Sequence, residues 1–198
     1  GAEHGRLPVI YHISPEGKLL NSFTVGEREW NIVDSMATDA QGRLYMRMRM
    51  QEDGSYVRIY SAEGELIGTV ADDDSYAVQG AGALGQGKDG KVYAAAQAVG
   101  NTTAGDMAMT LVSVDPESLR FVPVAGGENV ICSADTIYPW KMVAAGVSET
   151  ADFILWGYNG VDTYRLGETE FTRVQENWEM PCGTEGTCAV LVPDGRIL

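Results

Sequence analysis

A glycine-rich stretch at residues 80–85, GAGALG, has the spacing G-x-G-x-x-G of a dinucleotide-binding loop. In such a loop the motif opens a helix whose N-terminus meets the pyrophosphate. Here a turn at Asp89-Gly90 follows almost at once, which leaves no room for a helix. The overlapping G-x-x-x-x-G-K at 82–88 is close to a phosphate loop, but Asp89 stands where a magnesium-binding hydroxyl belongs. We therefore interpret these glycines as small residues that let backbones approach closely.

Histidine and cysteine are too scarce to support a zinc site or a serine triad. The chain has two histidines, His4 and His12, whereas zinc takes three or four ligands and a triad needs a positioned imidazole. Cys182 and Cys188 flank the loop GTEGT and either close a disulfide or remain free thiols. A disulfide would indicate an oxidising compartment. Cys132 is most simply a small buried hydrophobe.

Carboxylates are abundant, and three of them are adjacent in ADDDSY, at Asp72, Asp73 and Asp74. These oxygens could serve calcium, but the spacing is not that of an EF-hand. Adjacent aspartates in a loop are usually only solvated. We therefore expect no metal site and no cofactor, with calcium as the alternative.

Three arginines are concentrated in one region of a chain that has only 14 basic residues. Arg47 and Arg49 share one face of the predicted strand RLYMRMRM, and Arg58 lies on the next predicted strand. Enclosed arginines need anionic partners because a buried unpaired charge is costly. They either pair with neighbouring carboxylates, which is the simpler interpretation, or form a site for a sugar acid or another carboxylate.

Aromatic residues gather in one irregular region of the sequence. The four are Tyr138, Trp140, Trp156 and Tyr158. Aromatic rings on a rim can stack on sugar rings or anchor a protein partner, whereas core packing is the alternative. If the protein binds a ligand, these four are the first candidates for contact.

We predict that these residues lie on short strands joined by polar turns, because apolar residues alternate with period two along the sequence. Four predicted hairpins align: IYHISPEGKLLNSFTV, RIYSAEGELIGTV, TLVSVDPESLRFVPV and GVDTYRLGETEFTRV. A second series of turns lies between them, in TDAQGRLYMRM, GKDGKVYAAAQ, SETADFILWGYN and VPDGRIL. A repeat of about 40–50 residues with four strands per unit is typical of a β-propeller.

We predict one all-β domain over residues 1–198, a propeller of about four four-stranded blades. The blades are expected at 30–71, 77–125 and 132–175, with a further blade formed jointly by 8–25 and 189–198. Pairing the N-terminal hairpin with the C-terminal strand would remove two open sheet edges. The alternatives are part of a larger propeller, exchange of terminal strands within a homodimer, and a two-sheet β-sandwich.

The stretches YSAEGELIGTV, SPEGKLLNSFTV, DAQGRLY and KDGKVY resemble secreted bacterial propellers of the NHL and SMP-30 type. The stretch GYNGVDTYRLGETEFTRVQENW, followed by VPDGRIL, also resembles the propeller region that precedes the solute-binding domain in surface lipoproteins of gut Firmicutes. The resemblance covers nearly the whole chain and implies an extracellular, non-catalytic binding or scaffolding region. SMP-30-type lactonases hold an axial metal with separated Glu, Asp and Asn residues, a set not matched here.

The net charge of the chain excludes two classes of binding partner. The formal net charge of −14 argues against nucleic acid and against an anionic membrane surface. No apolar run approaches the roughly 18 residues of a membrane helix. The leading Gly1 resembles a residue left by cloning, which is consistent with removal of a signal segment. We predict an extracellular or cell-surface module that binds a glycan or a protein partner in a nutrient-uptake system. A metal-dependent lactonase or lyase and a structural spacer are the alternatives.

Overall fold

The protein is described by a computed structural model. The described residues are 7–25, 32–50, 54–71, 76–77, 84–98, 109–125, 141–144, 152–156, 161–166 and 171–178. They form fifteen strands in four antiparallel sheets, and no helix occurs among them. The prediction of an all-β fold is confirmed at this level.

The first two sheets come from the N-terminal part of the chain. Sheet 1 is the hairpin of β1 (Val9–Ile13) and β2 (Leu19–Thr24). Sheet 2 is a four-stranded meander of β3 (Ile32–Thr38), β4 (Leu44–Met50), β5 (Gly54–Tyr60) and β6 (Leu66–Ala71).

The other two sheets follow in chain order. Sheet 3 contains β7 (Tyr76–Ala77), β8 (Leu84–Gln86), β9 (Val92–Ala98), β10 (Met109–Asp115) and β11 (Arg120–Pro123). Since β7 and β8 both pair with β9, they are two pieces of one edge strand. Sheet 4 is the meander of β12 (Lys141–Ala144), β13 (Phe153–Trp156), β14 (Val161–Leu166) and β15 (Phe171–Trp178).

The β1–β2 and β5–β6 hairpins turn in the same way, as their aligned sequences predict. The Gly17 N–H donates to the Ser14 carbonyl at 2.9 Å, and the Gly64 N–H donates to the Ser61 carbonyl at 3.0 Å. Both glycines have positive φ, 82° and 95°, a conformation that side chains with a Cβ rarely adopt. Both hairpins also shift register one residue pair before the turn, so the sequence repeat is also a repeat of backbone geometry.

The β3–β4 and β8–β9 turns form a second matched pair. The Gly42 N–H donates to the Asp39 carbonyl at 3.0 Å, and the Gly90 N–H donates to the Gly87 carbonyl at 2.9 Å. Their φ angles are 78° and 79°. The turns predicted at these two glycines are therefore confirmed.

Sheet 2 is buried on both faces, because it lies between sheet 1 and sheet 3. One face packs on the hairpin with a cluster formed by Val25, Met46, Met48, Tyr56 and Tyr60. The other face packs on sheet 3 and contributes Tyr45, Val57, Ile59 and Val70. The alternation in RLYMRMRM thus serves two cores, and neither face of β4 is turned to solvent over Tyr45–Met48.

The last strands of sheets 1 and 2, β2 and β6, contact the next sheet at equivalent positions. The Asn21 amide of β2 donates to the Glu63 carbonyl in the β5–β6 turn at 2.8 Å. Gly68 of β6 lies against Leu119 in the β10–β11 turn, where an added Cβ would come within 2.6 Å of a Leu119 methyl. Asn21 and Gly68 both stand four residues after their turn glycine, so equivalent positions contact the next sheet, by a hydrogen bond in one case and by packing in the other.

The β3–β4 and β8–β9 turns also contact the next sheet at equivalent positions. The Ala40 N–H donates to the Gly90 carbonyl at 2.9 Å, which joins sheet 2 to sheet 3. The Lys88 ammonium binds the Asp152 carboxylate at 3.1 Å, which joins sheet 3 to the residue just before β13. Ala40 and Lys88 both stand two residues before their turn glycine. Successive sheets therefore follow one another with a repeated relation.

A search of the described residues for a helix long and apolar enough to cross a membrane found none.

Candidate functional site

A cleft of about 500 Å³ lies where turns of sheet 2 and sheet 3 meet. The β3–β4 turn and the start of β4 contribute Asp39, Gln41, Arg43 and Tyr45. The β8–β9 and β10–β11 turns contribute charged residues, namely Asp89, Lys91, Asp115 and Glu117. The β8–β9 and β10–β11 turns lie at the same end of sheet 3, because successive turns of an antiparallel sheet alternate ends. The hydrogen bond from Ala40 to Gly90 brings the β3–β4 turn to that end.

Asp39 organises the sheet 2 side of the cleft. It is 5% exposed, and its Oδ1 accepts the backbone N–H groups of Gln41 at 3.0 Å and Arg43 at 2.9 Å. Its Oδ2 accepts the Arg43 Nε–H at 2.5 Å and the Tyr45 hydroxyl at 3.1 Å. Four donors thus satisfy one buried carboxylate, as burial of a charge requires. Asp39 holds the turn and is not free to act on a substrate.

Arg43 is one of the two basic residues that line the cleft. Partial burial by itself lowers the pKa of Arg43, but the hydrogen bond to Asp39 and the nearby charges of Asp39 and Glu117 raise it overall. The pKa of Asp115 is lowered, chiefly by its hydrogen bond from Ser118 and in smaller part by the charge of Arg43. The guanidinium therefore acts on carboxylates of both sheets.

Two tyrosines occupy matching positions, three residues after their turn glycines. The Tyr45 hydroxyl donates to Asp39, and the Tyr93 hydroxyl donates to Asp89 at 2.7 Å. Burial raises the pKa of both phenols, and the neighbouring carboxylates raise it further. Both are neutral hydrogen-bond donors at physiological pH, so neither serves as a base.

The alkaline titration of tyrosine absorbance should show these two groups. The chain has nine tyrosines, and we expect Tyr45 and Tyr93 to ionise above the ordinary pKa of about 10. Because their folded-state pKa is raised, their contribution to stability is complete below about pH 10 and is lost as the pH rises beyond it. Tyr45→Phe and Tyr93→Phe should each remove a late-titrating group. If both variants lose an early-titrating group instead, the two hydrogen bonds are wrong.

The structure separates Arg47 from Arg58. In the β4–β5 register, Arg47 is opposite Val57, and Arg58 is opposite Met46. Paired residues share a face, so the two arginines lie on opposite faces of sheet 2. Arg47 is 5% exposed, and neither arginine is among the residues that line the cleft.

The Arg58 side chain is described by the structure, whereas that of Arg49 is not. The Arg58 guanidinium lies 5.3 Å from the centre of the Tyr56 ring, a cation–π distance. Arg49 is in β4 opposite Ser55, and its side chain lies outside the described residues. A ligand-binding role for these arginines stays a prediction.

The remaining candidate residues of the sequence are mostly outside the described part of the chain. Trp156 is the last residue of β13, opposite Lys141, but its side chain is not described. Those that lie outside altogether are Asp72, Asp73, Asp74, Tyr138, Trp140, Tyr158, Cys182 and Cys188. Their roles in ligand binding, calcium binding and disulfide formation stay predictions.

Sequence reasoning missed the residues that build the cleft, although their signal was present. The stretches DAQGRLY and KDGKVY were interpreted only as turns followed by strands. Each combines an acid in the turn, a basic residue after the glycine and a tyrosine two residues later. That recurrence indicates a tyrosine–carboxylate hydrogen bond, which the structure contains twice.

No family model matches the chain, and no curated protein matches it. Within the described residues, no three His, Cys, Asp or Glu side chains are grouped so that they could hold a metal ion.

Proposed function

We propose that the chain is a non-catalytic binding module and that its ligand site is the cleft between sheets 2 and 3. The observation that carries this proposal is a recess of about 500 Å³ whose polar walls are held by their own hydrogen bonds. Ligand sites are commonly preformed recesses of roughly 300–1,000 Å³. A wall that is already hydrogen-bonded loses little freedom when a ligand enters.

Binding is favoured over catalysis by the state of the titratable groups. A general base needs an accessible lone pair and a pKa near the working pH. Asp39 has four donors on its two oxygens, and a raised pKa keeps Tyr45 neutral. Asp39 and Tyr45 therefore do not form an acid–base pair, and we propose that the exposed Gln41, Lys91 and Glu117 of the lining serve recognition.

The repeated junctions support a propeller of about four blades. The described contacts from sheet 1 to sheet 2 and from sheet 2 to sheet 3 both use the position four residues after a turn glycine. Those from sheet 2 to sheet 3 and from sheet 3 to the residue before β13 both use the position two residues before a turn glycine. Repetition of one relation between successive sheets is what generates a ring of blades. In this arrangement sheet 1 is half of a blade.

The hairpin exposes the face of sheet 1 that a closed ring would have to cover. Val9 and Ile13 of β1 are 44% and 56% exposed, whereas the equivalent Tyr56 and Tyr60 of β5 are 8% and 4% exposed. The β5 residues are covered by sheet 1. The matching face of sheet 1 therefore has room for another sheet, and we propose that the ring places one there.

Residues 189–198, which we predict to complete this half-blade, lie outside the described residues, so their proposed pairing rests on repeat position alone. Aligning VPDGRIL with AQGRLY sets Ile197 equivalent to Leu44, which pairs with Tyr60. Since Tyr60 is equivalent to Ile13, we propose that Ile197 lies opposite Ile13. The homodimer alternative places the same pair between two chains.

A glycan array probed with the purified chain, together with metal analysis of a chelator-free sample, tests the function. Selective glycan binding without a stoichiometric metal is the expected result. A bound divalent ion together with turnover of a lactone would establish the enzyme alternative. Absence of any ligand or partner would leave the structural spacer. Location at the cell surface, in a nutrient-uptake system, is part of the proposal.

A further inference from the structure

We infer that residues 185–191 form the innermost strand of the blade that sheet 1 begins, where they cover Met36 of sheet 2 and set Cys188 against its backbone. Residues 185–191 lie outside the described part of the chain. The inference rests on the ring of blades in the proposed function. It adds a strand and a contact that the pairing of Ile197 with Ile13 does not require, and it is independent of what the cleft binds.

Met36 is an exposed apolar residue on the face of sheet 2 that packs on sheet 1. It pairs with Met46 in the β3–β4 register, so the two side chains share a face. Met46 is 0% exposed and belongs to the cluster beneath the β1–β2 hairpin. Met36 is 53% exposed. The hairpin therefore covers β4 and leaves the edge strand β3 open on the same face.

Sheet 3 has a covered residue at the position equivalent to Met36. Leu84 of β8 and Met36 of β3 each stand six residues before their turn glycine, and each pairs with the residue four after it. Leu84 is 4% exposed in the core between sheets 2 and 3, and β3 packs on its strand. The position is therefore buried beneath β3 of the preceding sheet, and open where the preceding sheet is described only as a hairpin.

A hydrogen bond fixes the contact between β3 and β8. The Ser35 hydroxyl oxygen accepts the Leu84 N–H at 2.9 Å, which satisfies a backbone donor of the edge strand β8. Ser35 stands seven residues before Gly42, and Leu84 stands six residues before Gly90. The register between the two strands can therefore be transferred to another junction by repeat position.

The same relation assigns Cys188 to the junction between sheets 1 and 2. Gly195 is the turn glycine of VPDGRIL, and Cys188 stands seven residues before it. In sheet 2 the residue six before the turn glycine is Met36. The relation therefore places the Cys188 sulfur, a weak acceptor, against the Met36 N–H. It also makes residues 185–191 the counterpart of β3.

The sequence after β15 suits this strand. Residues 179–198 follow the last described strand, so they supply the whole counterpart of β3 and the beginning of the counterpart of β4. Residues 188–192 are CAVLV and are apolar throughout, as expected of a strand enclosed between two sheets. Docking of this strand is favoured because the exposed Met36 side chain then leaves water.

Oxidation of the native chain by hydrogen peroxide, followed by peptide mass spectrometry, tests whether Met36 is covered. Covering a methionine slows its oxidation to the sulfoxide, because the reagent does not reach the sulfur. Met46 is 0% exposed and serves as the internal control, and the urea-denatured chain gives the rate without any cover. We expect folding to slow the oxidation of Met36 by a factor of about five or more, as for Met46. A smaller protection would overturn the inference.

Disulfide trapping of Met36→Cys with the native Cys188 identifies the strand that covers this position. Cys132 and Cys182 are replaced by serine, so that only this pair is present in the chain. We expect mild oxidation to form a bond within one monomer, because the inferred contact brings the two Cβ atoms close. Non-reducing electrophoresis and mass spectrometry of the linked peptides measure it.

Two control pairs calibrate this experiment. Ser35→Cys with Leu84→Cys, in a chain whose native cysteines are replaced by serine, is the positive control because its contact is described. Thr38→Cys with the native Cys188 is the displaced pair. Thr38 is exposed and lies two residues farther along β3, so we expect this pair to react about fivefold more slowly.

The outcomes separate this inference from the function on which it rests. A bond found only in dimers would overturn the inference and assign the cover of Met36 to a second copy of the chain. A reactive Ser35–Leu84 control with an unreactive Met36–Cys188 pair would overturn the position of Cys188. If residues 13 and 197 are nevertheless trapped together, the shared blade stands without this inner strand. Binding in the glycan array is measured separately, so it can succeed or fail whatever covers Met36.

Discussion

Replacement of Asp39 by alanine should lower the free energy of unfolding by about 3 kcal/mol. The carboxylate accepts two backbone N–H groups, the Tyr45 hydroxyl and the Arg43 guanidinium. Its removal leaves these donors without their acceptor inside a nearly dry site, and the cost of such groups exceeds the value of the bonds themselves. Urea denaturation followed by circular dichroism measures the change.

Asp89→Ala is the matched control for this prediction. Asp89 occupies the corresponding turn of sheet 3, where its carboxylate accepts the Tyr93 hydroxyl at 2.7 Å and the Lys91 N–H at 3.2 Å. Its side chain is 35% exposed, against 2% for Asp39, so water can replace the lost acceptor. We expect a loss of about 1 kcal/mol. Equal losses in the two variants would contradict the structural role assigned to Asp39.

Replacement of Gly90 by alanine should destabilise the protein by about 3 kcal/mol. At φ of 79° an alanine is strained. Its methyl group would also lie 2.5 Å from the Ala40 Cβ in sheet 2. The two turns would have to separate, which would disturb the Ala40–Gly90 hydrogen bond.

Gly42→Ala isolates the contact between sheets from the strain of the turn. Gly42 has φ of 78° in the equivalent turn, and an added Cβ would meet only the Ala62 Cβ at an ordinary 3.8 Å. We expect a loss of about 1 kcal/mol, which is the backbone cost alone. If denaturation shows the same loss for Gly42→Ala and Gly90→Ala, sheets 2 and 3 do not touch at these turns.

Local features of the fold could be predicted because short sequences determine them. The turns at Gly17, Gly42, Gly64 and Gly90 follow from the rarity of positive φ in other residues. The turn near Ser118 was also predicted, but there the positive φ of 53° falls on Leu119. This leucine lies against Gly68 of sheet 2, a contact that no local pattern reveals.

Features that depend on pairing between strands could not be predicted. The alternation of RLYMRMRM predicts Arg47 and Arg49 on one face of β4, but it does not determine which residues of β5 lie on the same face of the sheet. The β4–β5 register decides this, and it places Arg58 on the opposite face. Arg47 and Arg58 therefore do not cluster, because residues on neighbouring strands meet only when they lie on the same face of the sheet.

The cleft was missed for a related reason. Its residues come from three turns of two sheets, separated by about 80 positions of sequence. Each turn is recognisable by itself, but their meeting depends on the hydrogen bond between Ala40 and Gly90. The sequence pattern points instead to aromatic residues, because aromatic rings are a common sign of ligand contact.

Disulfide trapping between Ile13→Cys and Ile197→Cys, in a chain whose native cysteines are replaced by serine, most directly tests the ring of blades. Non-reducing electrophoresis and mass spectrometry should find an efficient bond within one monomer. The control pair of Tyr11→Cys and Ile197→Cys, displaced by two residues along β1, should react poorly. An efficient bond only in dimers would show strand exchange between chains. No preference between the two pairs would contradict the assignment of sheet 1 as half of a blade completed by residues 189–198.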